Sequence, residues 1–462
     1  MTHSSKFALM AILGLSSSAQ AADLLETFHA AQANDAVFAA EVAKHQAGQE
    51  KLTQGRSLLL PSVNATANTT YNQYNVQYLN APPLLPFPAG QFRYNSHGYG
   101  VTLVQPLFRE QNWALYSESE LQVAQADAQF KSAQNDLVLR VARAYFDVLL
   151  AQDDVELAGA QKAAISEQLE QAKRNFEVGT ATITDTHEAQ SRFDLTSAQE
   201  IAAQSNLEIK KRILQQLTNA RTEDLRRLGD QFRLDMPQPA DMEKWVEGAQ
   251  QNNLQLAAAQ AAAELAEKEV DRNRGGHYPT LDLVASYNRT VANGGTFGVG
   301  SDGRMTSIGV QLNVPLFEGG AVQSKWREAE ANRDRAKSEL ESTNRGVALQ
   351  TRQAYLGVVN GIAQVKALQA ALKSSQSLLE SSKLGQEVGV RTNLDVLNAQ
   401  QQLYSTRRDL YQSEYNYLLS QLQLKAAAGV VGEDDVTTIN RALYSAPPAS
   451  SASPAAPAPA TP

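Results

Sequence analysis

Few residues in this chain have the types and spacing for bond-making chemistry. His29, His45, His97, His187 and His277 are scattered without metal-ligand spacing. Asp153 and Asp154 form an adjacent carboxylate pair, but they fall inside a long helical pattern and read as solvated rather than as a general acid and base. No nucleophile elbow, phosphate loop or dinucleotide fingerprint occurs, and the absence of cysteine removes disulfides and thiolate metal sites. These residues therefore predict no catalytic group, no metal, no cofactor and no enzyme.

One short pattern is used twice instead. FEVGTATITD (176–185) and QEVGVRTNLD (386–395) both read x-E-V-G-x-x-T-x-x-D. Gly179 and Gly389 suit the left-handed cap that ends a helix. Thr182 and Thr392 are placed to cap the next helix, and Asp185 and Asp395 suit both a capping box and the positive end of that helix. A helical hairpin accounts for each residue type on its own. It does not account for the shared Glu-Val-Gly, or for Arg391 beside one turn, which point to a partner that reads these tips from outside. Both readings of the aspartates stay open.

The turns belong to a longer repeat. GVTLVQPLF (100–108) returns as GVQLNVPLF (309–317), and RAYFDVL (143–149) as QAYLGVV (353–359), so the three pairs are offset by 209, 210 and 210 residues. Such constancy marks a tandem duplication. Each half opens with period-two alternation, as in Val63, Ala65, Ala67, Thr69 and Tyr71, or Ile308, Val310, Leu312, Val314 and Leu316. These are strands of about ten residues, the length a tilted membrane strand needs. A soluble half-buried sheet would alternate in the same way. The linkers NAPPLLPFPAGQ (80–91) and NGGTFGVGSDG (293–303) suit an exposed rim and favour the membrane. After each hairpin, proline-free helical periodicity runs for about 70 residues, on the order of 100 Å of helix, which predicts coiled-coil packing.

Composition sets the compartment and the boundaries. Residues 1–21 combine Lys6, an apolar run from Phe7 to Leu15, and Ala19 and Ala21, which predicts a secretory signal peptide. A first repeat spans 22–217, with a helix, a hairpin at 61–107, a long helix at 108–178 and a return helix at 182–217. A second spans 248–428, with a helix, a hairpin at 279–316, a long helix at 321–388 and a return helix at 392–428. Irregular segments at 218–247 and 429–444 fall at mid-height, and 445–462 is a Pro/Ala/Ser tail read as disordered. No apolar run approaches the roughly 18 residues of a membrane helix. A formal net charge of −8 without a basic stripe argues against nucleic acid.

Taken in order, the duplicated strand pair, GGHYPTLDL, VPLFEGG and the two tip motifs resemble the TolC family of outer membrane efflux proteins, over about Ala22 to Tyr444. The resemblance implies a mixed α/β membrane protein of the outer membrane with a long periplasmic extension. It implies a homotrimer in which three chains share one twelve-stranded transmembrane β-barrel in lipid, four strands from each, continued by a periplasmic α-helical coiled-coil barrel with a mixed equatorial belt. It further implies a duct for efflux or type I secretion, opened by a periplasmic adaptor (membrane fusion) protein and an inner-membrane transporter of RND, ABC or MFS type. Val178, Gly179, Val388 and Gly389 match the adaptor-docking tips. Gln168, Thr184, Asp185 and Arg391 match the periplasmic gate network, in which Lys383 and Gln386 depart from the family's glutamate and tyrosine. Asp395 matches the acidic ring at the entrance, and Asn398 stands where its second aspartate would be. The alternative is a periplasmic coiled-coil spacer or adhesin stalk with no pore, which would need no alternating hairpins.

Overall fold

The computed structural model describes residues 22–77, 79, 89–220, 224–229, 233–295 and 298–444. The expected signal peptide, the Pro/Ala tail and most of the first rim linker lie outside them. The first half contains α1 (Leu24–Asn34), α2 (Ala36–Ser57), β1 (Ser62–Val76), β2 (Gly90–Phe108), α3 (Glu110–Glu177), α4 (Ile183–Thr218) and β3 (Arg227–Leu228). The second contains α5 (Met242–Asn252), α6 (Leu254–Arg274), β4 (Thr280–Ala292), β5 (Ser301–Asn313), α7 (Ala321–Glu387), α8 (Asn393–Ala427), α9 (Glu433–Asn440) and β6 (Leu443–Tyr444). Two compact units result, one from Glu41–Ser132 with Leu254–Gly346, the other from Met1–Ala40, Ala133–Asn253 and Val347–Pro462.

The first of these units holds an antiparallel sheet in the order β1-β2-β4-β5. Its strands run 13 to 19 residues, longer than the ten that alternation suggests, because they continue into polar residues near the loops. Register pairs Val63 with Leu103, Val101 with Tyr287 and Ala285 with Ile308. One face is thereby apolar, while Asn64, Thr66, Thr102, Ser286 and Ser307 make the other polar. No described element covers the apolar face: Val63 is 62% exposed and Ile308 76%. A soluble sheet of this size would bury that face, so the alternation is that of a membrane strand. Where β2 gives way to α3, Arg109 holds Asp282 of β4 through two bonds of 2.8 and 2.6 Å. Below the sheet α2 lies tightly on α3. Gly48 and Gly55 are one heptad apart, and a Cβ at Gly48 would fall 2.6 Å from that of Ala126.

In the second unit the short helices are broken where one continuous helix was expected. α1 and α5 each span 11 residues and end at a single extended residue, Asp35 (φ −68°, ψ 117°) and Asn253 (φ −67°, ψ 127°). Asp35 closes α1 through its amide and opens α2 by accepting from the amides of Val37 and Phe38. Burial acts to raise its pKa, but bonds from Arg140 (2.8 Å) and the two amides outweigh that and hold the carboxyl below its ordinary range. The Asn253 side chain donates to the carbonyl of Ala427 at 2.8 Å. The duplication thus repeats the break as well as the helices.

Tyr145 of α3, fully buried, donates to the carbonyls of Arg226 (2.9 Å) and Ala22 (3.2 Å), pinning β3 and the start of α1 to the long helix. Asp153 and Asp154 are not solvated as their helical setting suggested. Asp153 accepts from the Tyr415 hydroxyl at 2.7 Å and lies 3.8 Å from Arg227, and Asp154 takes a two-pronged bond from Arg408 (2.7 and 3.2 Å). This seam of α3 faces α8 and β3, which sequence periodicity alone does not reveal.

Burial pushes Asp153 up to about 6 against the pull of Tyr415 and Arg227, and burial together with the Asp153 charge pushes Glu414 of α8 up to about 7. Charged and titratable neighbours are Asp154 and Glu156 on α3, Arg227 on β3, and Tyr411 and Tyr415 on α8. Both folded values exceed the unfolded ones. Their stabilisation is therefore complete below about pH 4 and lost as pH rises through about 6 to 7. Glu414→Gln should flatten the fall in thermal stability between about pH 5 and 8. It should gain about 1–2 kcal/mol at pH 8, a figure reduced from the full shift because the side chain is partly open to water. Thermal unfolding followed by circular dichroism checks this; an unchanged slope would show that the carboxyl is hydrated in the folded state.

Candidate functional site at the helical hairpin tips

The two tips have the same backbone. Gly179 and Gly389 sit at φ +79° and +78°, the left-handed region that a β-carbon disfavours. At the first tip the amide of Gly179 bonds to Phe176 (3.0 Å) and that of Thr180 to Asn175 (2.8 Å). At the second, Gly389 bonds to Gln386 (3.1 Å) and Val390 to Gly385 (2.9 Å). Each long helix thereby closes its last carbonyls. The return helices then start on matching capping boxes. Asp185 Oδ2 accepts from the Thr182 amide (2.9 Å) and hydroxyl (2.7 Å), and Asp395 Oδ2 from those of Thr392 (2.8 and 2.9 Å). With its polar groups satisfied by itself, each turn leaves apolar side chains facing water: Val178 is 73% exposed, Val388 66% and Val390 76%.

The side chains around this common frame differ. Arg391 reaches Asp395 of its own turn, 3.7 Å away, rather than Thr184 or Asp185. Asp395 is held below the usual carboxylate range, first by the Thr392 amide, then by its hydroxyl, with Arg391 a smaller contributor. Arg391 folds back over Gly385, where a β-carbon would come within 2.6 Å of its Cγ. Thr184 is exposed, and Gln386 makes a long 3.4 Å bond to Asn393. Lys383 is exposed on the outgoing helix. Gln168 is buried in α3 with its Oε1 unbonded among the described residues.

Behind the tips, Ile165, Leu169 and Ala172 of α3, Ala189 of α4 and Leu397 of α8 form one apolar cluster, with Phe193 packed against it. A polar link runs beside it. Arg192 of α4 donates to Asn398 at 3.1 Å and to Gln401 at 2.5 Å, both on α8. These two bonds tie one hairpin to the other behind the tips, and the sequence reading missed them. The signal available was a cation at 192 whose repeat counterpart is the neutral Gln402. Asn398, expected only as the loss of a ring carboxylate, is the acceptor of this link.

The sequence profile of the outer membrane efflux protein family matches residues 27–220 and 245–430. The outer membrane protein TolC of Vibrio cholerae is 34% identical over 440 residues, covering 95% of this chain and 97% of that one. The alkaline protease secretion protein AprF of Pseudomonas aeruginosa is 33% identical, covering 93% and 89%. Among solved structures, the Campylobacter jejuni outer membrane channel CmeC superposes with a TM-score of 0.75 at 16% identity, covering 91% of this chain and 89% of that one. The Vibrio cholerae outer membrane protein VceC does so at 0.74 and 19%, covering 88% and 96%; these two likenesses speak to fold. The chain belongs to the outer membrane efflux protein family: it is a mixed α/β outer-membrane exit duct of the efflux and type I secretion class, with its helices extending into the periplasm, and not an enzyme.

Proposed function

We propose that three copies of this chain close one twelve-stranded barrel in outer-membrane lipid, four strands from each. In this reading the hairpin tips form a periplasmic entrance engaged by an adaptor protein and an inner-membrane transporter of RND, ABC or MFS type. Residues 1–21 are a leader, the repeats at 22–217 and 248–428 each give a hairpin and a long helix, and 218–247 with 429–444 belong to the equatorial belt. One observation carries the assembly. β1 and β5 are the two edges of the sheet, each with a ladder of amides and carbonyls open on its outer side. Hydrocarbon offers those groups no partner, so neighbouring chains must. Native mass spectrometry in detergent should give a trimer; a folded monomer would sink the proposal.

The tips suit docking because their valines are bare while their backbone is already satisfied. A β-carbon at Gly179 or Gly389 meets nothing within 4 Å, so a side chain there projects outward at a strain of about 1 kcal/mol. Gly179→Glu or Gly389→Glu should abolish export while trimer levels in the outer membrane stay normal. Gly389→Asn, which tolerates the left-handed region, should retain export. Loss of the trimer itself in the glutamate variants would assign these glycines a purely structural role.

For the gate, we assign Arg391, Gln168, Thr184 and Asp185 to contacts that hold neighbouring helices at the entrance, with Asp395 giving one ring carboxylate per chain. Arg192 belongs with them, because its link to Asn398 and Gln401 joins α4 to α8. An exposed link of this kind is worth about 0.5–1 kcal/mol. Three symmetric copies give about 1.5–3 kcal/mol, enough to shift a two-state gate roughly 10- to 150-fold. Arg192→Ala and Arg391→Ser should each raise single-channel conductance in planar bilayers. Unchanged conductance in both would place closure in the apolar cluster of α3, α4 and α8 instead.

A further inference from the structure

The apolar face of the sheet ends, toward the hairpin loops, in a row of cations. Ladder pairing sets Tyr99, Arg289 and Arg304 side by side on β2, β4 and β5. One pleat nearer the loops come His97, Val291 and Asp302, and Arg93 follows two pleats beyond His97 on the same side of β2. Like charges directly opposite one another repel. Asp302 offsets part of this: it takes bonds of 3.0 and 2.8 Å from Arg289 and lies 3.9 Å from Arg304. One carboxylate thus answers two guanidinium groups, Arg289 and Arg304. Arg304 is 65% exposed, and the bond of Arg93 is to the neutral Gln91 at 3.1 Å.

The height of this row identifies what it faces. Arg304 and Leu312 are eight residues apart on β5, about 26 Å along the strand, which at the roughly 40° tilt of barrel strands is about 20 Å of height, most of the roughly 25 Å apolar band of a membrane barrel. Tyr99 and Tyr287, with ring centroids 6.5 Å apart, stand at the top of that band, where aromatic girdles meet the headgroups. The opposite ends of the strands lead into helices, and among the described residues no helix is long and apolar enough to cross a membrane. With the helices periplasmic, the loop end of the sheet is external. The external leaflet of an outer membrane is built of phosphorylated glycolipid.

We infer that Arg93, His97, Arg289 and Arg304 form a binding site for the phosphate groups of the outer-leaflet glycolipid, on the lipid-facing surface of the barrel. Guanidinium forks match phosphate geometry two bonds at a time, and Asp302 orients Arg289 while leaving Arg304 open. The inference rests on the barrel reading above, which makes the apolar face the lipid face. In the test, full-length protein in detergent is mixed with bisphosphorylated lipid A, with the same lipid stripped of phosphate, or with inorganic phosphate. Native mass spectrometry then reads bound mass and oligomeric state together. Lipid A should stay bound and the dephosphorylated lipid should not. Each cation at an anionic membrane surface changes binding about fivefold, so Arg304→Gln should weaken lipid A about fivefold and Arg93→Gln with Arg304→Gln about 25-fold. Both positions are exposed, so the fold should survive. Equal binding of the dephosphorylated lipid, or variants that bind as tightly as the parent, would overturn the site. Capture of inorganic phosphate without preference for the glycolipid would overturn the lipid assignment. A monomer in the same spectra would instead mark failure of the barrel reading.

Discussion

A strand in hydrocarbon has nowhere to place its amides and carbonyls except another strand. That constraint governs this chain. Four strands pair into one sheet, but β1 and β5 each keep an open side, and among the described residues no element covers the apolar face. The bases of β1, β2 and β4 join helices within about five residues, and β5 joins α7 after seven, so most of the backbone leaves the sheet in a form that satisfies its own hydrogen bonds. At that transition the Arg109–Asp282 pair fixes the first long helix to the neighbouring strand.

Duplication supplies both hairpins and both tips, yet the copies are not chemically equal. The φ angles at Gly179 and Gly389 agree to within a degree, and the capping-box distances agree to about 0.2 Å. Between those fixed points the side chains diverge. Gly385 corresponds to Asn175, Arg391 to Ala181 and Gln402 to Arg192. A shared frame with unlike side chains lets two hairpins keep one shape while the second carries the folded-back Arg391 and the first carries Arg192, which reaches across to Asn398 and Gln401.

Away from the tips, polar groups rather than apolar bulk set the breaks in the short helices. Asp35 and Asn253 are buried and fully engaged, and each stops one helix and starts another within a single residue. An apolar residue of similar size would leave two amides and a cation without their acceptor at Asp35, and the Ala427 carbonyl without this donor at Asn253, a larger loss than the lost contact itself. Asp153, Tyr415 and Arg227 serve the same purpose for β3, tying an irregular segment to two long helices.

Much of this was legible in the chain before any coordinates. Repeat spacing gave the duplication, period-two runs gave the strands, and Gly-x-x-Thr-x-x-Asp gave both turns with their caps, because each is a local property of backbone conformation or side-chain periodicity. What local patterns cannot carry is which seam of a long helix meets which neighbour. In a helix of 68 residues the apolar stripe drifts around the axis, so the burial of Asp153, the pairing of Arg192 with Asn398 and the choice of Asp395 over Asp185 by Arg391 were all open. The single-residue breaks at Asp35 and Asn253 were hidden for the same reason. Aspartate and asparagine are tolerated within a helix, and only tertiary bonds, from Arg140 to Asp35 and from Asn253 to Ala427, make the break the lower-energy path.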